Sequence, residues 1–251
     1  MSLLRSAILK ASESAWLRER APRYAFIRRS VERFMPGERV DDALAVAKRL
    51  ADEGIITLLT HLGENVANRA EAEVVTKHYL GVLDRIRTEG VQSEVSVKLT
   101  QLGLDIDKEF CFRNLAALIE RSPPDKTLWI DMEQSSYVDA TLDLYRRARK
   151  AYRNTGVCVQ AYLRRTKKDV ESLISMGASV RLVKGAYKEP PAIAFPKKAD
   201  VDANYFALAQ MLLSAEARNA GVRAAIATHD RALIERVIQW AAAEGIAKNE
   251  I

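Results

Sequence analysis

Six short runs rich in Val, Ile and Leu, separated by longer amphipathic stretches that end in glycine, predict an α/β protein with a parallel sheet. The runs are residues 55–60, 94–99, 128–132, 157–162, 179–183 and 222–228. They read as apolar blocks instead of surface alternations, the pattern of strands covered on both faces. Gly54, Gly90, Gly156, Gly177, Gly221 and Gly245 each close a helix-like stretch ahead of an apolar run. A helix commonly ends in a left-handed residue, which glycine adopts at little cost. The run at 128–132 follows Pro123-Pro124-Asp125 instead.

The intervening helices are legible from their periodicity. Residues 139–152 place Leu142 and Tyr145 on one side and Arg146, Arg147, Arg149 and Lys150 mostly elsewhere. Residues 168–176 and 204–220 are two more. Proline is absent from 37 to 122, which suits long uninterrupted elements. Strand and helix alternate with a spacing of roughly 20 to 45 residues, compatible with an open doubly wound sheet or a (β/α)8 barrel. No GxGxxG turn follows the first run, so the barrel is preferred. The expected organisation is an N-terminal helical arm over 1–48 and a TIM-type barrel over 49–251. A seventh strand begins at Gly245-Ile246 and the sequence stops at Ile251, so the barrel is expected to be incomplete at its C-terminus. Unpaired strand edges then favour aggregation or a partner that fills the gap.

Composition narrows the function classes. The chain has 251 residues, 48% apolar and 29% charged, which disfavours disorder. It has no uncharged apolar stretch of about 18 residues and no secretory layout at its start. Cys111 and Cys158 are too few for a disulfide scaffold, and a reducing compartment is the simpler reading. His61, His78 and His229 lack zinc-ligand spacing, so no metal is expected. Of the net charge of +6, residues 1–40 hold +5, from nine Lys/Arg against four Glu. The remainder is nearly neutral, which argues against a nucleic-acid groove. The basic arm carries Ile8, Trp16, Leu17, Tyr24, Phe26 and Ile27 between its charges. It reads as a pair of helices with a solvated face, or as an amphipathic surface for an anionic membrane or a partner. Glu13 and Glu19 argue against a cleaved targeting peptide.

Polar residues collect where the runs end, the end at which parallel barrels carry their chemistry. They are His61-Leu62-Gly63-Glu64, Lys98-Leu99-Thr100, Asp131-Met132-Glu133, Gln160 with Tyr162, the run 181–187, and Thr228-His229-Asp230. Lys98, Arg181 and Lys184 face Asp131, Glu64 and Glu133, a balance that suits an anionic ligand such as a carboxylate or phosphate. Lys184-Gly185-Ala186-Tyr187 offers a small-residue turn where backbone N–H groups approach a pyrophosphate. The plainer readings are a salt-bridged Lys98 or Lys184, a structural His229 and a packing Met132.

The ordered set resembles the proline dehydrogenase family over roughly residues 25–251. Its carriers are Leu62-Gly63-Glu64, Val97-Lys98-Leu99, Asp131-Met132-Glu133, Val159-Gln160-Ala161-Tyr162, the Arg-Leu-Val-Lys-Gly-Ala-Tyr run with Glu189, and Ala227-Thr228-His229-Asp230. The resemblance implies a distorted (β/α)8 barrel with non-covalent FAD. It implies oxidation of L-proline to 1-pyrroline-5-carboxylate by hydride transfer, with electrons passed to a quinone. It places the chain in the cytoplasm, the basic arm being a candidate for peripheral contact with the inner membrane. Carried over by motif, Asp131 and Arg181 are the catalytic residues. Asp131 organises the substrate pocket, and Arg181 stabilises the reduced flavin ring. Lys98 binds the proline carboxylate. Met132 and Gln160 touch the flavin, Lys184, Gly185 and Ala186 hold its ribityl and phosphate part, and Thr228 and His229 hold the pyrophosphate and adenosine side.

One departure qualifies this. Family members continue with a tyrosine-bearing strand and a last helix whose Arg-Arg pair clamps the substrate carboxylate, and neither is in this sequence. Each lost charge-assisted bond costs about 1.5–3 kcal/mol, so this chain alone is expected to show little or no turnover. Two other readings stand beside the family one: a Schiff-base aldolase using Lys98 or Lys184, and a non-catalytic barrel fragment with weak flavin or partner binding.

Overall fold

The computed structural model describes residues 37, 39–63 and 65–247. Most of the arm expected over 1–48 lies outside the described residues. The chain divides into two compact units, 1–55 and 56–251. The first contains α1 (Val40–Asp52), with Asp41 and Asp42 in its first turn and Arg49 in its last, an order that complements the helix dipole. Among the described residues, no helix is long and apolar enough to cross a membrane.

The second unit is built on six parallel strands: β1 (Thr57–Thr60), β2 (Ser93–Val97), β3 (Leu128–Ile130), β4 (Thr155–Gln160), β5 (Ser179–Val183) and β6 (Arg223–Ile226). They pair in sequence order. The crossovers run through α2 (Arg69–Thr88), α3 (Lys108–Arg121), α4 (Val138–Ala151), α5 (Thr166–Ile174), α6 (Lys198–Leu212) and α7 (Ala215–Asn219), with α8 (Arg231–Ala243) after β6. Every residue of β2, β3 and β4 is buried, as strands covered on both faces must be. Among the described residues β1 and β6 are each paired on one side only.

The sheet curls, and side chains crossing its concave face show by how much. Arg223 Nη1 on β6 donates to Glu94 Oε1 on β2 at 2.6 Å. Four strand spacings in a flat sheet come to about 19 Å, beyond the combined reach of the two side chains. Arg181 Nη2 on β5 donates to Ser96 Oγ on β2 at 3.3 Å, across about 14 Å of flat sheet. The concave face is therefore the interior of a half-barrel.

Five of the six expected helix-ending glycines do that work: Gly54, Gly90, Gly177, Gly221 and Gly245 have φ between 60° and 80°. Gly156 is a correction, because it lies inside β4. A Cβ there meets the Trp129 ring at 2.5 Å, so close packing and not backbone conformation requires the glycine. The expected helix over 204–220 is also corrected. α6 starts at Lys198 and ends at Leu212, and Ser214 turns extended to cap α7, its side chain accepting from Ala217 N–H. For the expected seventh strand, Gly245 ends α8 and Ile246 is buried but in no strand, while 248–251 lie outside the described residues.

Candidate active site

The polar residues at the strand ends form three neighbouring groups. The innermost joins Lys98 after β2, Asp131 after β3 and Arg181 on β5. Asp131 Oδ1 accepts from Arg181 Nη2 and, at 2.5 Å, from Ser96 Oγ. Asp131 is itself placed by the sheet, its N–H donating to Val97 O at 2.8 Å. Lys98 Nζ lies 3.8 Å from Asp131 Oδ2, outside hydrogen-bond reach. All three side chains are at most 16% exposed. Two cations around one carboxylate leave a surplus positive charge in a mostly desolvated place, which a small anion would balance. Cys158 on β4 is buried beside Arg181, and burial pushes its thiol pKa up against the opposing effect of the Arg181 guanidinium.

The second group surrounds β4 and β5. Gln160 Nε2 donates to Met132 O at 3.2 Å, so these two residues meet. Among the described residues, Gln160 Oε1, Tyr162 Oη and Arg181 Nε are buried with no hydrogen-bond partner, although the Tyr187 backbone acts on the Tyr162 hydroxyl. Buried polar groups are normally satisfied, so these three atoms are candidates to meet a ligand with both donors and acceptors. Burial, and then the Glu189 carboxylate, push the Tyr162 hydroxyl up to about 12, so it remains a donor. Gly185 has φ +110°, and a Cβ there falls 2.1 Å from the Tyr162 ring. Only glycine meets both conditions. Glu189 accepts from Ser135 N–H and Oγ–H at 2.7 Å each, tying the loop after β5 to the one after β3.

The third group is a charge quartet. Lys184 Nζ donates to Asp202 Oδ1 and Asp230 Oδ2, each at 2.6 Å, and Lys198 pairs with the same two carboxylates. Bonds from Lys184 and Lys198 hold Asp230 well below the usual carboxylate range. They also lower Asp202 against a burial effect of opposite sign. Asp230 also caps α8, and its own N–H donates to Thr228 Oγ1 at 3.1 Å. His229 and Ala186 are exposed. Lys184 is thus salt-bridged, as its plainer sequence reading had it.

The loop after β1 is anchored from below. His61 N–H donates to Tyr79 Oη at 3.0 Å, and Tyr79 Oη–H donates to Ser96 O at 3.1 Å. Gln101 Nε2 donates to His61 O and, at 2.8 Å, to Gly63 O. Glu64 lies outside the described residues. Burial and the neighbouring His78 hold His61 below its ordinary pKa.

Three interior residues escaped the sequence reading, Glu94, Ser96 and Trp129, as did the exposed Arg223 that reaches Glu94 from the start of β6. The signal was present in β2, where Glu94, Ser96 and Lys98 alternate with Val95, Val97 and Leu99. A polar period of two inside a buried strand marks the face that lines a barrel interior.

Comparison with known proteins carries this arrangement to a family. A family model described as proline dehydrogenase matches residues 43–251. Proline dehydrogenase 2 of Bacillus subtilis subsp. natto is 34% identical over 251 residues, covering 100% of this chain and 81% of the relative. Proline dehydrogenase of Deinococcus radiodurans is 30% identical over 98% of this chain and 79% of its own length. Among solved structures, proline utilization A from Bdellovibrio bacteriovorus, inactivated by N-propargylglycine, superposes with a TM-score of 0.75 at 26% identity over 86% of this chain. Proline utilization A from Corynebacterium freiburgense gives 0.74 at 22% identity over 97%, a likeness of fold. This chain spans 27% of either solved chain. The half-barrel, the ordered strand-end residues and the match over 43–251 agree: the chain belongs to the proline dehydrogenase family.

Proposed function

We propose that this chain oxidises L-proline to 1-pyrroline-5-carboxylate on a bound FAD. The observation that carries the reading is the Lys98–Asp131–Arg181 group with its surplus cation beside three orphaned polar atoms. The orphans fit a flavin ring, whose N–H suits Gln160 Oε1 and whose ring nitrogens and carbonyls suit Arg181 Nε and Tyr162 Oη. The Gly185 turn fits close passage of the ribityl chain, since no side chain fills it. When bound, FAD supplies the hydride acceptor, and the protein orients and tunes.

Lys98 holds the proline carboxylate by a charge-assisted bond. Asp131 keeps Arg181 in place and stands 3.8 Å from Lys98. Fixing the carboxylate would orient the substrate ring, which is this chain's part in a step whose hydride acceptor the bound flavin would supply. Arg181 would supply a fixed cation against negative charge on the flavin ring. Met132 and Gln160 would line the ring. Lys184, Gly185 and Ala186 would hold the ribityl and phosphate part, and Thr228 and His229 the pyrophosphate and adenosine side. Lys184 reaches a phosphate only in exchange for Asp202 or Asp230, so flavin loading is sensitive to salt. The electron acceptor in this reading is a quinone.

Single-turnover bleaching of bound flavin by L-proline tests the reading, because it needs neither an electron acceptor nor tight substrate binding. Lys98→Met is expected to raise the proline concentration for half-maximal bleaching by roughly 10- to 100-fold, the loss of one charge-assisted bond. An unchanged concentration would remove Lys98 from the substrate site.

A further inference from the structure

Trp129 stands on the concave face between two arginines. It is 1% exposed. Arg181 Cζ lies 5.7 Å from its ring centroid and Arg223 Cζ lies 5.4 Å from it. Its Nε1–H donates to Glu94 Oε2 at 2.6 Å, and Glu94 Oε1 accepts from Arg223 Nη1 and from Thr127 N–H. Gly156 supplies a flat seat for the ring, since a Cβ there meets Cε3 at 2.5 Å. The indole is thus fixed along its edge and by its packing. Arg181 is held along its edge: its Nη2 reaches Asp131 and Ser96, and Cys158 lies beside it on β4, while among the described residues its Nε has no hydrogen-bond partner. Bonds in the plane of the fork leave its tilt free, and a desolvated aromatic face within about 6 Å restricts it.

We propose that Trp129 is the positioning residue for Arg181. The ring, locked by Glu94 and Gly156, is the floor that fixes where the Arg181 guanidinium points, and through it the stability of the reduced flavin. The last step rests on the reading that Arg181 adjoins the flavin, and the first does not. The experiment compares wild type, Trp129→Phe and Trp129→Leu in two ways. Nitrogen-15 NMR of the arginine Nε–H groups reads Arg181, assigned by its loss in Arg181→Lys. Spectroelectrochemistry of the flavin-loaded protein reads the midpoint potential.

The Arg181 signal is expected to be shifted by the ring current in wild type, to move partway back in Trp129→Phe and to collapse toward the solvent value in Trp129→Leu. The flavin midpoint is expected to fall in the same order. The limiting bleaching rate in Trp129→Leu is expected to drop roughly 10- to 100-fold while the half-saturating proline concentration stays put. If Trp129→Leu does not fold, Trp129→Phe carries the test, with an Arg181 shift and a midpoint both displaced from wild type. An Arg181 signal indifferent to the ring would overturn the proposal. Because losing the ring moves the signal even where Arg181 stays put, positioning is read from exchange of the Arg181 Nε–H with water: exchange that speeds up in Trp129→Leu beside an unmoved midpoint would keep Trp129 as the positioner of Arg181 and overturn the flavin adjacency instead, and unchanged exchange would overturn the positioning.

Discussion

Asp131 is the residue on which the site turns. It takes bonds from Ser96 and Arg181 and stands within 3.8 Å of Lys98. Removing its charge leaves two cations facing each other in a mostly buried place, a costly arrangement. Asp131→Asn is therefore expected to lower both stability and bleaching rate. Asp131→Ala with Arg181→Leu is expected to recover stability but not bleaching, as thermal melts and anaerobic spectra would separate. Gly185 gives a sharper residue-scale test. Gly185→Ala adds a side chain at φ +110° and 2.1 Å from the Tyr162 ring. It is expected to cost at least about 1 kcal/mol and to weaken flavin retention, read by ultrafiltration of the loaded protein. Retention equal to wild type would take the turn out of the flavin site.

At the scale of elements, β2 shows what the sequence held and what was read from it. Its place was legible because Val95, Val97 and Leu99 are apolar and Gly90 ends the preceding helix. Lys98 was legible because it sits at the strand end, where such folds carry chemistry. Ser96 and Glu94 were passed over because an apolar block is judged by its dominant residues, and two polar residues inside one look like noise. Trp129 and Arg223 were hidden for another reason. An aromatic in a buried strand reads as core, and an arginine at a strand's first residue reads as surface, until the curl brings them together. The break between α6 and α7 was illegible too, since helix-forming residues continue on both sides of it and only Ser214 interrupts them. Ser214→Ala is expected to destabilise by about 1 kcal/mol in denaturant titration, the cost of a lost N-cap.

Across the whole molecule, curvature is what turns six separate strand ends into one site, and the Glu94–Arg223 pair bridges that curvature at the opposite end of the strands from Lys98. Burial raises the Glu94 pKa, but bonds from Arg223, Trp129 and Thr127 outweigh it, so the folded value lies below the ordinary 4.5. A carboxylate depressed by folding contributes stability above its unfolded pKa and loses it as pH falls through the folded one. The stability advantage of wild type over Glu94→Gln is therefore expected to be full near neutrality. It should shrink as pH is lowered below about 4.5, as urea titrations across that range would show. A constant difference would mean that the ion pair does not couple to folding.

The central claim is that this interior holds a flavin which proline reduces. The most direct measurement is the visible absorbance of the purified flavin-loaded protein, recorded anaerobically before and after adding L-proline. In place of the little or no turnover expected from the sequence, the Lys98–Asp131–Arg181 group predicts an oxidised flavin spectrum that bleaches at saturating L-proline, and far more slowly in Arg181→Lys. A bound flavin that stays oxidised at saturating proline, or a protein that retains no flavin, would contradict the claim.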